Sequence, residues 1–379
     1  MGLFDTSIMT ARCFQNTGIQ VYGMDHDTSL SGFFSNAIIS VGTPNPRQGE
    51  EKWLTHIMNW FQTFDNKFVL IPTSDEYVYL CSKYWKELSQ YCLSVFPDLR
   101  VLNTIIEREK QFNAVISCGV KVPPFLTGKL DLSDLSFAGI NFPFAIKPVN
   151  AIEWKQRFKN KGFVINTHED WIKAQFELSK NSSLSILFQS IIEGDNTNNF
   201  EVNALYLPNN QLFMHTIRKI RQYPDRFGTA TCIESFSNPE VERIAEQIIR
   251  NLNLFGFSNI EFKYNDEDGK YYYIETNTRV WLQVNFSMKI GINFPLLYYK
   301  SLTSNAQIEK QEITTQGKWV DTLPDLLFYI KYRKKYSMSF YGFVKSRMPV
   351  KANGLFSFKD PMPFLKDLNL SKRIKSILS

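Results

Sequence analysis

Histidine is scarce in this sequence: His26, His56, His168 and His215 are the only four in 379 residues. None stands close in sequence to another or to a cysteine. A histidine-rich metal centre is therefore not expected, and oxygen ligands should hold any metal. The five cysteines (Cys13, Cys81, Cys92, Cys118 and Cys232) show no C-x-x-C spacing. That excludes a zinc knuckle and fits reduced thiols in a cytoplasmic setting rather than a disulfide framework. No apolar run approaches the ~18 residues of a membrane span. The opening segment, Met1-Gly2-Leu3-Phe4-Asp5, has no basic or apolar leader region, so no secretory signal is expected. No G-x-G-x-x-G turn follows a strand, which removes a dinucleotide-dependent oxidoreductase from consideration. No Ser-His-Asp or Cys-His arrangement is visible, and a covalent enzyme intermediate is not expected. There is no internal repeat.

What is present describes a folded globular chain. Apolar residues make up 44%, aromatics 15% and charged residues 21%, which excludes a disordered or low-complexity protein. At ~100–200 residues per domain the length implies two or three domains. Charge is uneven. Residues 300–379 carry 15 Lys/Arg against 6 Asp/Glu, and the rest carries 28 against 31. A basic segment can serve nucleic acid or anionic lipid. This one is also rich in Phe, Leu and Pro, so a packed extension with a solvated basic face is the favoured reading, and nucleic acid is disfavoured.

Residues 1–103 read as α/β. The strands Gly18–Asp25 and Ala37–Val41 precede a helix over 50–64, whose apolar stripe is Trp53, Leu54, Ile57, Met58, Trp60 and Phe61. The segment Lys67–Glu76 is a buried strand running into the polar loop Thr73-Ser74-Asp75-Glu76. That loop reads either as a substrate-contacting loop or as a helix N-cap with an acidic first turn. No strand precedes the first helix, Gly2–Phe14, so an open α/β sheet lacks its usual first strand: either the start is truncated or the edge is rearranged. Residues 104–119 read as one helix, with Thr104 and Glu107 as a capping box and Gly119 as its end. A boundary is placed near 103. Residues 240–253 form another amphipathic helix.

The most informative stretch is Phe257–Trp281. Two β-rich runs flank the turn N-D-E-D-G-K, which predicts an antiparallel hairpin. If paired positions sum to 536, Ile260 faces Thr276, Phe262 faces Ile274 and Tyr264 faces Tyr272 on an apolar face. Lys263 then faces Tyr273, and Glu261 faces Glu275, with Cβ atoms ~5 Å apart. Like charges there are destabilising unless a cation sits between them. Alternation carries the same face on to Asn277 and Arg279. Two carboxylates and an amide oxygen are hard ligands that suit Mg2+, and an adjacent arginine suits a phosphate or a developing acyl phosphate.

The hairpin ending I-E-T-N-T-R-V-W resembles the signature of the ATP-grasp superfamily, in which a Glu-x-Asn motif and an earlier Glu bind magnesium. Further matches follow in order: Lys110 in R-E-K-Q-F, Lys147 in F-A-I-K-P, and a hinge strand over Ile186–Asp195. Within the superfamily the chain resembles the D-aspartate-ligase-like carboxylate–amine ligases, through L-I-P-T-S-D-E, R-K-I-R-Q-Y-P (Arg218–Pro224) and F-S-F-K-D-P-M-P-F-L (Phe356–Leu365). The resemblance covers nearly the whole chain. It implies an α/β + α+β architecture: an open α/β pre-ATP-grasp domain (1–103), an ATP-grasp domain (104–300; lid about 126–190, large subdomain about 191–300), and a basic C-terminal extension (301–379) packed on the core.

The resemblance also implies roles. Lys110 and Lys147 neutralise ATP phosphates. Gln189 and the backbone of Ser190, Ile191 and Ile192 hold adenine, with Asp195 or a neighbour near the ribose. Glu261, Glu275 and Asn277 hold one or two Mg2+, with Mn2+ as a substitute. Arg218 and Arg279 stabilise the transferring phosphoryl group. Lys155, Arg157, Lys159 and Lys161 lie in a loop expected to close over the phosphates, although a solvated loop fits equally. The implied activity is ATP-dependent amide formation from a small carboxylate and an amine, through an acyl phosphate. The alternative is a nucleotide-binding regulatory or scaffold protein that has lost turnover. A homodimer is compatible with either.

Overall fold

The computed structural model describes residues 1–128, 132–150, 153–154, 157–158, 160–180, 184–225, 228–304, 308–309 and 311–368. The N-terminal region contains two small parallel sheets. One pairs β1 (Tyr22–Asp25) with β2 (Ile39–Gly42), and the other pairs β3 (Phe68–Val69) with β4 (Cys92–Leu93). The helix Glu50–Phe61 buries Trp53, Ile57 and Phe61 against them. Ser74 accepts from Tyr77 N–H and caps the helix Asp75–Lys83. The Thr73–Glu76 loop is therefore a helix start. It still reaches the functional cleft, as shown below.

The expected single helix over 104–119 is two helices, Leu99–Ile106 and Arg108–Ser117. Asp98 caps the first by accepting from Arg100 N–H, while the Thr104 hydroxyl donates back to Arg100 C=O and caps nothing. Glu107 leaves helical geometry (φ −91°, ψ 110°) and forms a bridge to Asn150. Arg108 N–H then bonds Val149 C=O at 2.9 Å. Pairing with a distant strand end outweighs local helix propensity at this point.

A four-stranded sheet follows: β5 (Phe125–Thr127), β6 (Phe144–Pro148), β7 (Phe163–Ile165) and β8 (Ile186–Ser190), in the order β5-β8-β6-β7. The large sheet contains β9 (Asn199–Tyr206), β10 (Leu212–Tyr223), β11 (Thr229–Phe236), β12 (Gly256–Asn265), β13 (Lys270–Asn277), β14 (Lys318–Val320) and β15 (Val350–Asn353). Its order is β13-β12-β9-β10-β11-β14-β15. The C-terminal segment is thus no mere extension, because β14 and β15 complete the central sheet.

The two faces of that sheet differ by residue parity. On one face Val202, Ala204, Ile260 and Phe262 pack under the helix Pro239–Asn251, through Val241, Ala245, Ile248 and Ile249. On the other, Leu205, Phe213 and Phe257 join a core with Ile8 and Met9 of the helix Asp5–Arg12. Gly256 (φ +83°) lets the start of β12 approach the N-terminal region. A Cβ there would stand 2.4 Å from Val95 C=O. Among the described residues, no helix is long and apolar enough to cross a membrane.

The first helix is tied to the C-terminal segment by a buried ion pair. Arg12 meets Asp360 at 3.1 Å, with exposures of 8% and 1%. Asp360 also accepts from the Ser35 hydroxyl at 2.7 Å and Asn36 N–H at 3.0 Å. The motif F-S-F-K-D-P-M-P-F-L is thus a structural staple. Removing one partner of a buried pair strands the other charge and costs ~3–5 kcal/mol. Asp360→Ala should lower the urea midpoint accordingly, and an unchanged midpoint would show that Arg12 finds another partner.

Candidate active site

The β12–β13 hairpin forms as predicted at its business end. Ile260 faces Thr276, and Glu261 faces Glu275. Beyond that the register slips. Phe262 faces Tyr273, Lys263 faces Tyr272 and Tyr264 faces Tyr271, so the pairings predicted there are one residue out. The extra residue is Ile274, a β-bulge. It turns Tyr273 inward, fully buried against Phe112, and frees Ile274 C=O to accept from Arg108.

β12 also pairs with β9, and there Glu261 faces Glu201 and Asn259 faces Asn203. Three carboxylates, Glu275, Glu261 and Glu201, therefore lie in a row across three adjacent strands. Such a row stands only with cations set against it. Arg108 meets Glu275 at 2.9 Å, and Lys219 bridges Glu261 at 2.6 Å and Glu201 at 3.2 Å. Asn259 donates to Glu201 at 2.9 Å and to Asn203 at 2.8 Å, and Asn277 donates to Asn259 at 3.3 Å.

Electrostatics follow from burial and neighbours. Burial works against the charge on Lys219, but Glu261 and Glu201 outweigh it and hold the ammonium protonated, its pKa raised. Burial pushes the Glu261 carboxyl up, Lys219 opposes, and Glu201 and Glu275 add to the rise. Burial also opposes the charge on Glu275, yet Arg108 and Lys147 hold its carboxyl well below the usual range. Lys147 is buried on β6. Desolvation, aided by Arg108, brings its ammonium down to about 7 against the pull of Glu275 and Glu261. Lys263 is lowered to about 8, chiefly by burial, and donates to the carbonyls of Gly194 and Asp195 at 2.7 and 2.6 Å.

The structure thus brings Lys147, Glu261, Glu275 and Asn277 to one cleft, between the four-stranded sheet and the large sheet. Gln189 is on the adjacent β8, paired with Ala145 of β6. Its side chain is 4% exposed and its Oε1 has no hydrogen-bond partner. Ser190 N–H is spent on Pro124 C=O, so that backbone donor is not free for adenine. Ile191 and Ile192 follow in the half-buried hinge loop, and Asp195 is exposed. Arg279 pairs with Asp75 at 3.3 Å, which links the hairpin to the Thr73–Glu76 loop.

Two expected residues lie elsewhere. Lys110 is 57% exposed and paired with Glu107. The helix break at Glu107 sends Arg108, not Lys110, to the carboxylates. Arg218 is on the helix-covered face, where it pairs with Glu234 and stacks over Phe236. Its neighbour Lys219 takes the cleft side because adjacent strand residues point to opposite faces. Lys155 and Lys159 lie outside the described residues. Arg157 is exposed, and Lys161 is near enough to act on Lys147 and Glu275.

Sequence reasoning missed Arg108, Lys219, Glu201, Asn203 and Asn259. One signal could have found three of them. The run Glu201-Val202-Asn203 is the antiparallel image of Asn259-Ile260-Glu261, and both alternate with apolar residues.

Two carboxylates and the Asn277 oxygen suit a hard divalent cation. Among the described residues no three His, Cys, Asp or Glu side chains converge on one point. Such an ion would need oxygens from elsewhere, as phosphates would supply.

Comparison with known proteins agrees with this layout. Residues 210–298 match the family described as the ATP binding domain of carbamoyl-phosphate synthase L chain. A D-aspartate ligase of Enterococcus faecium (strain Aus0004) is 24% identical over 244 residues, which span 60% of this chain and 56% of that protein. An N5-carboxyaminoimidazole synthetase from Staphylococcus aureus, complexed with ADP, superposes with a TM-score of 0.66 at 13% identity. That match covers 89% of this chain and 84% of the other. An L-amino acid ligase from Bacillus licheniformis gives 0.59 at 16% identity, over 79% and 71%. The fold is the ATP-grasp fold.

The ion pairs yield a stability prediction. Glu275→Gln leaves Arg108 beside Lys147 without its counter-ion. The pair is partly solvated, so the cost should be about 1 kcal/mol, read as a lower urea midpoint. A rise in midpoint would mean that repulsion among the carboxylates dominates instead.

Proposed function

We propose that this ATP-grasp chain is an ATP-dependent carboxylate–amine ligase. The observation that carries the reading is the row of Glu275, Glu261 and Glu201 matched against Arg108, Lys219 and Lys147 in the cleft. A non-catalytic sheet has no need of so many desolvated charges. ATP's γ-phosphoryl group passes to a small carboxylate, and an amine then displaces phosphate to form an amide. The chain positions the reactants and neutralises their charge.

Lys147 and Arg108 face the phosphates. Gln189, with its unpartnered amide oxygen, accepts from the adenine amino group. Glu261, Glu275 and Asn277 would hold Mg2+, which would draw charge from the phosphate oxygens. Arg279 stabilises the acyl phosphate. The five free, buried cysteines are compatible with a reducing cytoplasm and support a cytoplasmic setting.

The deciding experiment measures phosphate release from ATP with Mg2+ against a panel of amino acids and small carboxylic acids. Release that requires one acid–amine pair supports the ligase. Slow release indifferent to every additive supports a regulatory nucleotide-binding protein.

Two further predictions concern single residues. With a folded-state pKa near 7, Lys147 is mostly neutral at pH 8. A bound triphosphate favours the charged form, so ATP binding at pH 8 should take up close to one proton. Calorimetry in two buffers of different ionisation enthalpy reads this directly. Lys147→Arg, always charged, should bind with no such uptake. Equal uptake by both proteins would place Lys147 away from the phosphates. Arg279→Lys keeps the charge but loses the two-point fork, so it should lose most of kcat with little change in KM for ATP. A sharply raised KM at constant kcat would make Arg279 a nucleotide-binding residue.

A further inference from the structure

Between the buried acids Asp325 and Asp360 the chain carries eight Lys/Arg and no Asp or Glu. This stretch covers most of the helix Thr322–Tyr332 and all of the helix Phe340–Arg347. The two bordering acids are spent inside the fold. Asp325 accepts from Arg221 at 2.7 and 2.9 Å and from the Thr231 hydroxyl at 3.0 Å, and Asp360 is bonded to Arg12. The chain between them therefore brings charge of one sign to the surface.

The two helices pack by their inner sides. Tyr329 stacks on Phe343 at 4.6 Å, and Arg221 lies over the Phe343 ring at 5.2 Å. Their outer sides are apolar. Phe340, Val344 and Met348 recur at every fourth position on one side, with Tyr341 beside them, and their exposure runs from 43% for Val344 to 75% for Tyr341. Leu326 and Ile330 repeat the spacing on the neighbouring helix, and both are exposed. Phe340 and Arg333 both contact the Tyr329 ring, at 6.0 and 5.9 Å, so the two stripes meet there.

Cations flank the apolar stripes. Lys331, Arg333, Lys334 and Lys345 are exposed, and among the described residues no carboxylate pairs with any of them. Lys335 differs, since Asp225 holds it at 2.5 Å. Single apolar residues on a surface need no explanation, but aligned ones rimmed by one sign of charge mark a site of contact. Long basic side chains can lie along an apolar surface and still keep their charge in water.

We propose that this face docks the protein on an anionic lipid bilayer. Charge complementarity selects the partner. Lys331, Arg333, Lys334 and Lys345 meet the lipid phosphates, while Phe340, Tyr341, Val344 and Met348 enter the boundary between headgroups and acyl chains. Other occupants fit less well. A second copy of this chain would set the same cations against each other across a two-fold axis. A nucleic acid would gain from stacking on Phe340 and Tyr341 but has nothing to offer Ile330, Val344 and Met348. None of these residues belongs to the carboxylate cleft, so the inference stands apart from the ligase reading. The docking is peripheral and reversible, since only two short helical faces take part.

The test is co-sedimentation of the full chain with vesicles of phosphatidylcholine alone and of phosphatidylcholine mixed with phosphatidylglycerol. The chain should bind the mixed vesicles and not the neutral ones, and about 0.5 M salt should release it. Lys331→Gln, Lys334→Gln and Lys345→Gln together should weaken binding about a hundredfold, at roughly fivefold per charge. Phe340→Ser with Tyr341→Ser should weaken it about tenfold, and Tyr341→Trp should strengthen it, because indole favours the membrane interface. These side chains are exposed, so each variant should melt with the parent chain. The proposal is overturned if the chain ignores both kinds of vesicle or binds them equally, or if the variants bind as the parent does. It is also overturned if the chain leaves the mixed vesicles alone while the same variants abolish binding to duplex DNA or to a poly-glutamate peptide, or self-association in sedimentation equilibrium.

Discussion

Three carboxylates in one row, Glu275, Glu261 and Glu201, set the terms for the rest of the molecule. At cross-strand spacing their mutual repulsion works against the sheet unless cations answer it. Each cation comes from a different part of the fold. Arg108 arrives because a helix breaks at Glu107, Lys219 sits on a strand of the same sheet, and Lys147 sits on the neighbouring four-stranded sheet. The balance is local and close, which is why one lysine keeps its proton firmly while the other is poised near neutrality. Charges of both signs are thus held side by side and oriented by the fold, most of them largely withdrawn from water.

Two longer-range ties hold the site in place. Asp75 begins a helix in the N-terminal region and grips Arg279 at the end of the hairpin. Arg12 and Asp360 fasten the first helix to the loop that precedes the helix Met362–Asp367. The N-terminal region therefore touches the end of the hairpin through the Thr73–Glu76 loop. The β-bulge at Ile274 works at closer range. It keeps the acidic ends of β12 and β13 in register, buries Tyr273, and offers Arg108 a carbonyl besides the Glu275 carboxylate.

Much of the site was legible in the sequence. The alternation of Ile260, Glu261 and Phe262 against Ile274, Glu275 and Thr276 dictated that two acids face each other across a hairpin, and Asn277 continued their face. Ser74 followed by Asp75 and Glu76 signalled a helix start, and one was found. The sequence could not reveal the bulge, because period-2 reading assumes an unbroken ladder and nothing in Tyr271-Tyr272-Tyr273 marks an extra residue. It misassigned Arg218 for a related reason. Arg218 and Lys219 are adjacent cations, and only the packing of the helix Pro239–Asn251 on one side decides which of them faces the cleft.

Composition and local chemistry alone determined the hairpin, the opposed carboxylates, the amphipathic helices and the poverty of imidazole and paired thiol ligands, since each is read from residue counts or from spacing within one short stretch of chain. Tertiary structure alone decided which cations meet those carboxylates. Arg108 reaches Glu275 across 167 positions and Lys219 reaches Glu261 across 42. It also decided that β14 and β15 belong to the central sheet and that Glu107 breaks a helix to pair with Asn150. The physical reason is the same in each case. Burial makes an unpaired charge or backbone group costly, and the partner that satisfies it is chosen by position in space, which no local pattern records.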